Sequence, residues 1–563
     1  MRLIEAYTRG DTAQPLLRLT VHGLLQQAVN QHGARDALIV RHQDIRWSYH
    51  DLARAVDDLA AGLLALGLQK GDRIGIWSPN RVEWVVTQFA TARIGLILVN
   101  INPAYRLAEL EFALNKVQAK ALIVAPSFKT SDYIGMLQSL APELTGQTPG
   151  QLQLARLPHL RCIIRLGPGE TPGMQPYDAV LRLAGPAQRS RLDLVAASLD
   201  PDEPINIQFT SGTTGLPKGA MLTHYNIVNN GYFVAQKMKF TPQDRLCIPV
   251  PLYHCFGMVL SNLACVSHGA CMVFPGEGFD ACEVLETVQA ERCTALHGVP
   301  TMFIAELGHP DFGRYDLSSL RTGIMAGAPC PIEVMKQVVR DMGMREVTIA
   351  YGMTETSPVS FQSGVDDPLE RRVATVGRIH PHVEVKIIGE RGETLRPGEK
   401  GELCTRGYSV MRGYWDEPEK TAEAIDAAGW MHTGDLAVLD EAGYCNIVGR
   451  VKDMVIRGGE NLFPREIEEY LYRHPAVQDV QVFGIPDAKY GEELCAWIVP
   501  KPGQRPSEAD IRAFCQGQIA HQKIPRHIRF VDAFPVTATG KAQKFIMRKT
   551  MMDELGLKEA ATA

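Results

Sequence analysis

The sequence predicts an α/β protein of two domains. A large N-terminal domain of mixed, mostly parallel sheets with flanking helices carries a β-rich subdomain, and a small α+β C-terminal domain follows it. Three observations predict this. Apolar positions alternate between helical and strand spacing over residues 48–124, short strand-like segments take over after about residue 376, and a fresh set of helices and strands begins after Gly449. At 563 residues the chain is also too long for one hydrophobic core.

Ser48 precedes Leu52, Val56, Leu59, Leu63 and Leu66, at steps of four and three, which predicts an amphipathic helix capped by the serine and stopped at Gly67. The run Arg73–Trp77 then reads as a buried strand. A helix over 82–92, a strand over 96–100, a helix over 107–117 and a strand over Ala121–Val124 follow, a pace that implies crossover helices on a parallel sheet. Residues 127–160 lose the periodicity and read as a surface excursion. The alternation resumes through residues 220–350, and after about Val376 short strands such as Val383–Ile388 and 401–405 mark the β-rich part. The smaller unit shows a helix near 465–473, strands at 477–483 and 496–499, and a helix near 508–516. The joint falls near residues 450–453, dividing the chain into 1–451 and 452–563. There is no internal repeat and no low-complexity tract.

Hydrophobic content of 45% and charged content of 21% are those of an ordinary globular protein. A formal charge of -5 over this length argues against a nucleic-acid or membrane-surface binder. The twelve cysteines are scattered, without a C-x-x-C pair or metal-ligand spacing, and read as reduced buried thiols in the cytoplasm. The opening residues, MRLIEAYTRGDTAQ, lack the apolar run of a signal peptide, so none is expected. The most apolar stretch, residues 246–274, is broken by Pro249, Pro251, His254, Ser261, Asn262 and His268, so no membrane span is expected.

One stretch, FTSGTTGLPKGAML over residues 209–222, concentrates glycine and hydroxyl residues around a lysine. It is not a nucleoside-triphosphate P-loop: five places after Gly212 that pattern needs Gly-Lys-Ser/Thr, and the chain has Pro217, Lys218, Gly219. Alone it is either a phosphate clamp of another design or a flexible loop. Five more segments accompany it, namely PLYHCFG (251–257), AYGMTE (350–355), HTGD (432–435), GRVKDMVIRGGENLFPREIE (449–468) and PVTATGKAQK (535–544). Each has a plainer reading in isolation. Thr354 and Glu355 could cap a helix, Asp435 could be a turn residue, His254 a satisfied core histidine and Lys541 a surface lysine.

Together, in this order and at these separations, the segments resemble the adenylate-forming superfamily: acyl-CoA synthetases, luciferase-like enzymes and peptide-synthetase adenylation domains. The resemblance spans roughly residues 30–550, and NINPAYR (100–106) with PLYHCFG is most similar to the fatty-acyl-CoA ligases. It implies an ATP-dependent acid-thiol ligase that converts a carboxylic acid, a medium- or long-chain fatty acid first, to acyl-AMP and then to a coenzyme A thioester. Aryl-CoA ligation, loading of a carrier protein and a non-enzymatic scaffold are the alternatives. A homodimer is compatible with the sequence, which does not determine oligomeric state.

The resemblance also assigns residues. Thr210, Ser211, Gly212, Thr213, Thr214, Gly215 and Lys218 would wrap the phosphates. Gly327, Ala328, Pro329, Tyr351, Gly352 and Thr354 would line the adenine pocket, and Asp435 with Arg450 would meet the ribose. Glu355 and Thr210 would hold Mg²⁺, as hard oxygen donors for a hard cation. Lys541 would bridge the carboxylate and the α-phosphate, with His254 near the acyl carboxylate. Gly458 and Gly459 would pass the pantetheine arm of coenzyme A, and Lys452 would be the hinge of a mobile C-terminal domain. Relatives often carry aspartate at that hinge. Between Gln522 and Thr550 seven Lys/Arg residues meet one acid, Asp532, a balance that suits a phosphate-rich ligand or a solvated basic face.

Overall fold

The computed structural model describes residues 2–210, 217–450, 453–457, 460–487, 489–516 and 518–557. Two large sheets dominate the first 380 residues. An eight-stranded sheet runs edge to edge through Gln175–Pro176, Cys162–Arg165, Ala121–Val124, Arg73–Trp77, Ile97–Asn100, Pro204–Thr210, Lys218–Thr223 and Gly413–Tyr414. It is parallel from its first edge through Pro204–Thr210, and the next two pairings are antiparallel. A nine-stranded sheet is parallel over its centre, from Glu346–Gly352 through Thr322–Ala326, Ala295–Gly298, Arg245–Cys247 and Cys271–Phe274 to Asp36–Val40. The central strands are buried on both faces, which is why they read as continuous apolar runs.

The first expected helix is Tyr49–Ala65. Ser48 accepts from the Asp51 amide and Asp51 reciprocates, a capping box, while Leu52, Val56, Leu59 and Leu63 are buried. The expected helix over 82–92 is Val82–Ile94, ended by Gly95 at φ +69.

Residues 127–160 are not a surface excursion. They contain a helix, Tyr133–Leu140, and a 3₁₀ turn, Pro142–Gly146, whose Tyr133, Leu137, Leu140 and Leu144 are all buried. Tyr133 stacks on Trp77 at 4.0 Å between ring centroids and donates its hydroxyl to the Pro103 carbonyl at 2.8 Å. The apolar stretch near residues 246–274 forms Arg245–Cys247, a short helix Cys255–Gly257, a π-helical turn Met258–Leu263 and a helix Ala264–His268. No helix among the described residues is long and apolar enough to cross a membrane.

The β-rich part is an antiparallel five-stranded sheet in the order Tyr7–Arg9, Val383–Ile388, Lys400–Gly407, Met431–Leu439 and Cys445–Arg450. Its outer strand comes from the start of the chain. Sheet membership changes between Arg450 and Val455. The last sheet contains Val455–Arg457, Glu460–Leu462, Val477–Asp487, Gly491–Pro500 and His527–Phe530, over a core of its own around Leu471, Val480, Leu494 and Ile511. All twelve cysteines are free, and every one but Cys282 is buried.

Candidate active site

The C-terminal ends of strands from both large sheets meet the five-stranded sheet and a loop of the last domain, the usual place for ligands in an open α/β sheet. Pro204–Thr210 and Lys218–Thr223 are antiparallel with Thr210 opposite Lys218. Ser211, Gly212, Thr213, Thr214 and Gly215 lie outside the described residues. Thr210 Oγ1 donates to Glu355 Oε1 at 3.3 Å, and Glu355 is buried in a 3₁₀ turn, Thr354–Thr356, reached from the other large sheet. Tyr414 donates its hydroxyl to the same Oε1 at 2.9 Å, and the Lys218 ammonium stands 4.9 Å from the centre of the Tyr414 ring. Burial and the Glu355 carboxylate both push the Tyr414 phenol well above its ordinary pKa, so it donates. Two hard oxygens within 3.3 Å, one of them a buried carboxylate, fit a hard divalent cation.

Glu346–Gly352 delivers Tyr351 and Gly352. Tyr351 donates to Asp435 Oδ2 at 2.5 Å, and Arg450 Nε donates to Asp435 Oδ1 at 3.0 Å, so two fixed donors define the carboxylate plane. Asp435 and Arg450 face each other across neighbouring strands. Burial, then the Asp435 carboxylate, holds the Tyr351 phenol well above the usual range. A Cβ on Gly352 would lie 1.7 Å from the Pro358 carbonyl, so glycine there is required by packing alone.

Gly327, at φ +88, follows Thr322–Ala326, and Ala328 and Pro329 continue the turn. A Cβ on Gly327 would stand 3.7 Å from Lys541 Cε. Lys541 belongs to a loop pinned by its own hydrogen bonds: its amide donates to Thr537 Oγ1 at 3.0 Å, and its carbonyl accepts from the Thr537 amide at 2.8 Å. Gly540, at φ +78, offers its carbonyl to Thr301 Oγ1 at 3.1 Å, which ties the small domain to the large one. Desolvation and then Arg450 lower the Lys541 pKa, while Asp435 and Glu355 pull the other way.

His254 caps the short helix Cys255–Gly257, its Nδ1 accepting from the Phe256 amide at 3.1 Å. Burial, then Lys541, lowers its pKa to about 3. The ring is therefore neutral with its proton on Nε2, a donor. Behind it, Cys255 donates to Gln208 Oε1 at 3.2 Å, and Gln208 donates to Met258 Sδ at 3.0 Å.

The structure thus gathers Thr210, Lys218, Glu355, Tyr351, Asp435, Arg450, Gly327, His254 and Lys541 around one site, with Thr354 in the same turn as Glu355. Lys452, Gly458 and Gly459 lie outside the described residues. The basic stretch after Gln522 is mostly compensated: Lys523 pairs with Glu466, Arg526 with Asp487 and Glu493, Arg529 with Glu554, Lys544 with Glu468 and Arg548 with Glu492. Lys541 is the basic residue of that stretch that turns into the site. Tyr414 and Gln208 were not foreseen. Both act through contacts with residues distant in sequence, and an aromatic after glycine or a polar residue in a strand carries no spacing signal.

The AMP-binding enzyme model matches residues 25–415, and the AMP-binding enzyme C-terminal domain model matches residues 466–541. YngI of Bacillus subtilis (strain 168), provisionally named an acyl-CoA synthetase, is 51% identical over 544 residues, covering 96% of this chain and 99% of its own length. The mitochondrial medium-chain acyl-CoA ligase ACSF2 of Danio rerio is 46% identical over 99% of this chain and 92% of its own. Among solved structures, the anthranilate CoA ligase AuaEII in complex with anthranoyl-AMP aligns with a TM-score of 0.86 at 28% identity, covering 97% of this chain and 99% of that one. The chain therefore belongs to the AMP-binding enzymes of the adenylate-forming superfamily, in the acyl-CoA synthetase family.

Proposed function

We propose that this chain is an ATP-dependent, AMP-forming acyl-CoA synthetase acting on a medium-chain fatty acid. The observation that carries the reading is Lys541, brought by a second domain to Gly327 on a loop whose Gly540 carbonyl accepts from Thr301. In the first step a carboxylate oxygen attacks the α-phosphorus of ATP, an O–P bond forms, and pyrophosphate leaves. The step brings anions together, so the site must supply fixed positive charge and donors. Lys541 meets the charge developing between carboxylate and α-phosphate. His254 Nε2–H holds the acid's second oxygen, and Lys218 faces the leaving phosphates. Thr210 and Glu355 would hold Mg²⁺, which when bound neutralises phosphate charge. Asp435 accepts from the ribose hydroxyls. In the second step the thiol of coenzyme A attacks the acyl carbonyl and AMP leaves, with Gly458 and Gly459 on the pantetheine path. The name of the zebrafish relative supports the medium-chain assignment, and the twelve free thiols support a cytoplasmic setting.

A second reading, an aryl-CoA ligase, is favoured by the likeness to the anthranilate ligase. Pyrophosphate release and thioester mass spectrometry over straight-chain acids of four to eighteen carbons and aromatic acids, with and without coenzyme A, separate the two. Thioester on free coenzyme A peaking at medium chain length is the expected result, and a peak on aromatic acids selects the second reading. Acyl-AMP without thioester across the panel would sink both and leave a carrier protein as acceptor.

A further inference from the structure

Asp435 stands in an interruption of the sheet. Lys400–Gly407 and Met431–Leu439 pair Glu402 with Leu436 and Cys404 with His432, so Thr433, Gly434 and Asp435 lie opposite the single residue Leu403. Such a bulge leaves ladder groups without partners, and bulges of this kind are used to aim a side chain. Three substitute hydrogen bonds hold this one. Thr433 Oγ1 donates to the Leu403 carbonyl at 2.7 Å, the Asp435 amide donates to Thr433 Oγ1 at 3.1 Å, and the Gly434 amide donates to Glu402 Oε1 at 3.2 Å. Gly434 has φ +69, a conformation that a glycine adopts without strain. The other oxygen of Glu402 lies 3.2 Å from His432 Nδ1, whose Nε2 faces Asp426 Oδ2 at 3.7 Å. Cys404 Sγ, 3.6 Å from the same Nδ1, closes the cluster from the buried side.

We propose that Glu402 and His432 are positioning residues for the nucleotide: through the Gly434 amide they fix the bulge, and hence the place at which Asp435 meets the ribose. None of the segments that carry the resemblance contains Glu402. The proposal rests on the reading of Asp435 as the ribose ligand. If it holds, loosening Glu402 first shifts Asp435 and the groups it touches, so the damage falls mainly on recognition of the ribose hydroxyls.

The test is steady-state pyrophosphate release with ATP, 2′-deoxy-ATP and 3′-deoxy-ATP for Glu402→Ala, Glu402→Gln, His432→Asn and Asp435→Ala, each first shown folded by its thermal transition. Glu402→Ala is expected to raise KM for ATP about tenfold with kcat within about twofold, and to shrink the preference for ATP over the deoxy analogues by a similar factor. Glu402→Gln retains an acceptor for the Gly434 amide and should recover most of that preference, whereas a general loss of fold would not be repaired by an amide. Should Glu402→Ala fail to fold, His432→Asn carries the test, with a smaller loss in the same direction. Asp435→Ala losing the preference while the folded Glu402 and His432 variants keep it overturns the positioning role alone. If Asp435→Ala itself keeps the preference, the ribose reading falls and the proposal falls with it.

Discussion

At Glu355, two side chains from distant parts of the chain, Thr210 and Tyr414, donate to one oxygen of a buried carboxylate, and the Lys218 ammonium lies over the Tyr414 ring. Lys218, Glu355, Asp435 and Lys541 could be picked out of the sequence as candidates, because each sits in a segment whose residue types match a chemical task and the segments occur together, and the fold brings the four to one place. Tyr414 could not, since its role consists of contacts that only folding creates. Those contacts make a prediction. Tyr414→Phe keeps the ring beneath Lys218 and removes one donor from Glu355, leaving the carboxylate less firmly oriented. The Mg²⁺ concentration for half-maximal pyrophosphate release should rise about tenfold, the usual cost of removing a partner of a metal ligand. An unchanged Mg²⁺ titration in the folded variant would mean that Tyr414 does not orient that ligand.

Among the elements, those buried on both faces were the most legible. Arg73–Trp77 and Ala121–Val124 stand where apolar runs place them, and Val383–Ile388 follows from its alternation, with Glu384 and Lys386 on the more open face. Elements that depend on partners were less so. Tyr7–Arg9 is three residues long, and its register with Lys386, Val385 and Glu384 spans most of the chain, so nothing local announces it. Tyr133–Leu140 is only eight residues long, with a glycine inside and a proline just beyond, which masked the helical step between Tyr133, Leu137 and Leu140. Its anchor is Tyr133 against Trp77, with the hydroxyl bonded to Pro103. Tyr133→Ala should therefore cost about 3 to 5 kcal/mol of stability in a denaturant titration, as other large aromatic truncations in cores do. A loss below about 1 kcal/mol would indicate that the segment does not share the core's cooperative unfolding.

On the scale of the whole molecule, the small domain stands with Lys541 in the site, joined to the large domain through Gly540 and Thr301 and through the Glu469 carboxylate, which accepts from the Ile332 amide at 3.3 Å. On the function proposed above, that arrangement belongs to the first half-reaction. Lys541→Ala should lose on the order of 10²- to 10³-fold in acyl-AMP formation, the usual scale for one preorganised charge, yet still convert supplied acyl-AMP and coenzyme A to thioester. Single-turnover kinetics of each half-reaction measures both quantities, and equal damage to the two would remove Lys541 from its assigned step. The shut-away thiols have a separate consequence. Burial raises the pKa of Cys330 and Cys404 to about 12 and that of Cys515 to about 11, so each is protonated at neutral pH as well as enclosed. Such a sulfur reacts with an alkylating reagent only while its surroundings are briefly open. Cys282, the half-buried one, is then a constant background, Cys515 a timekeeper for breathing of the small domain and Cys404 one for the five-stranded sheet, so the native chain carries its own set of clocks.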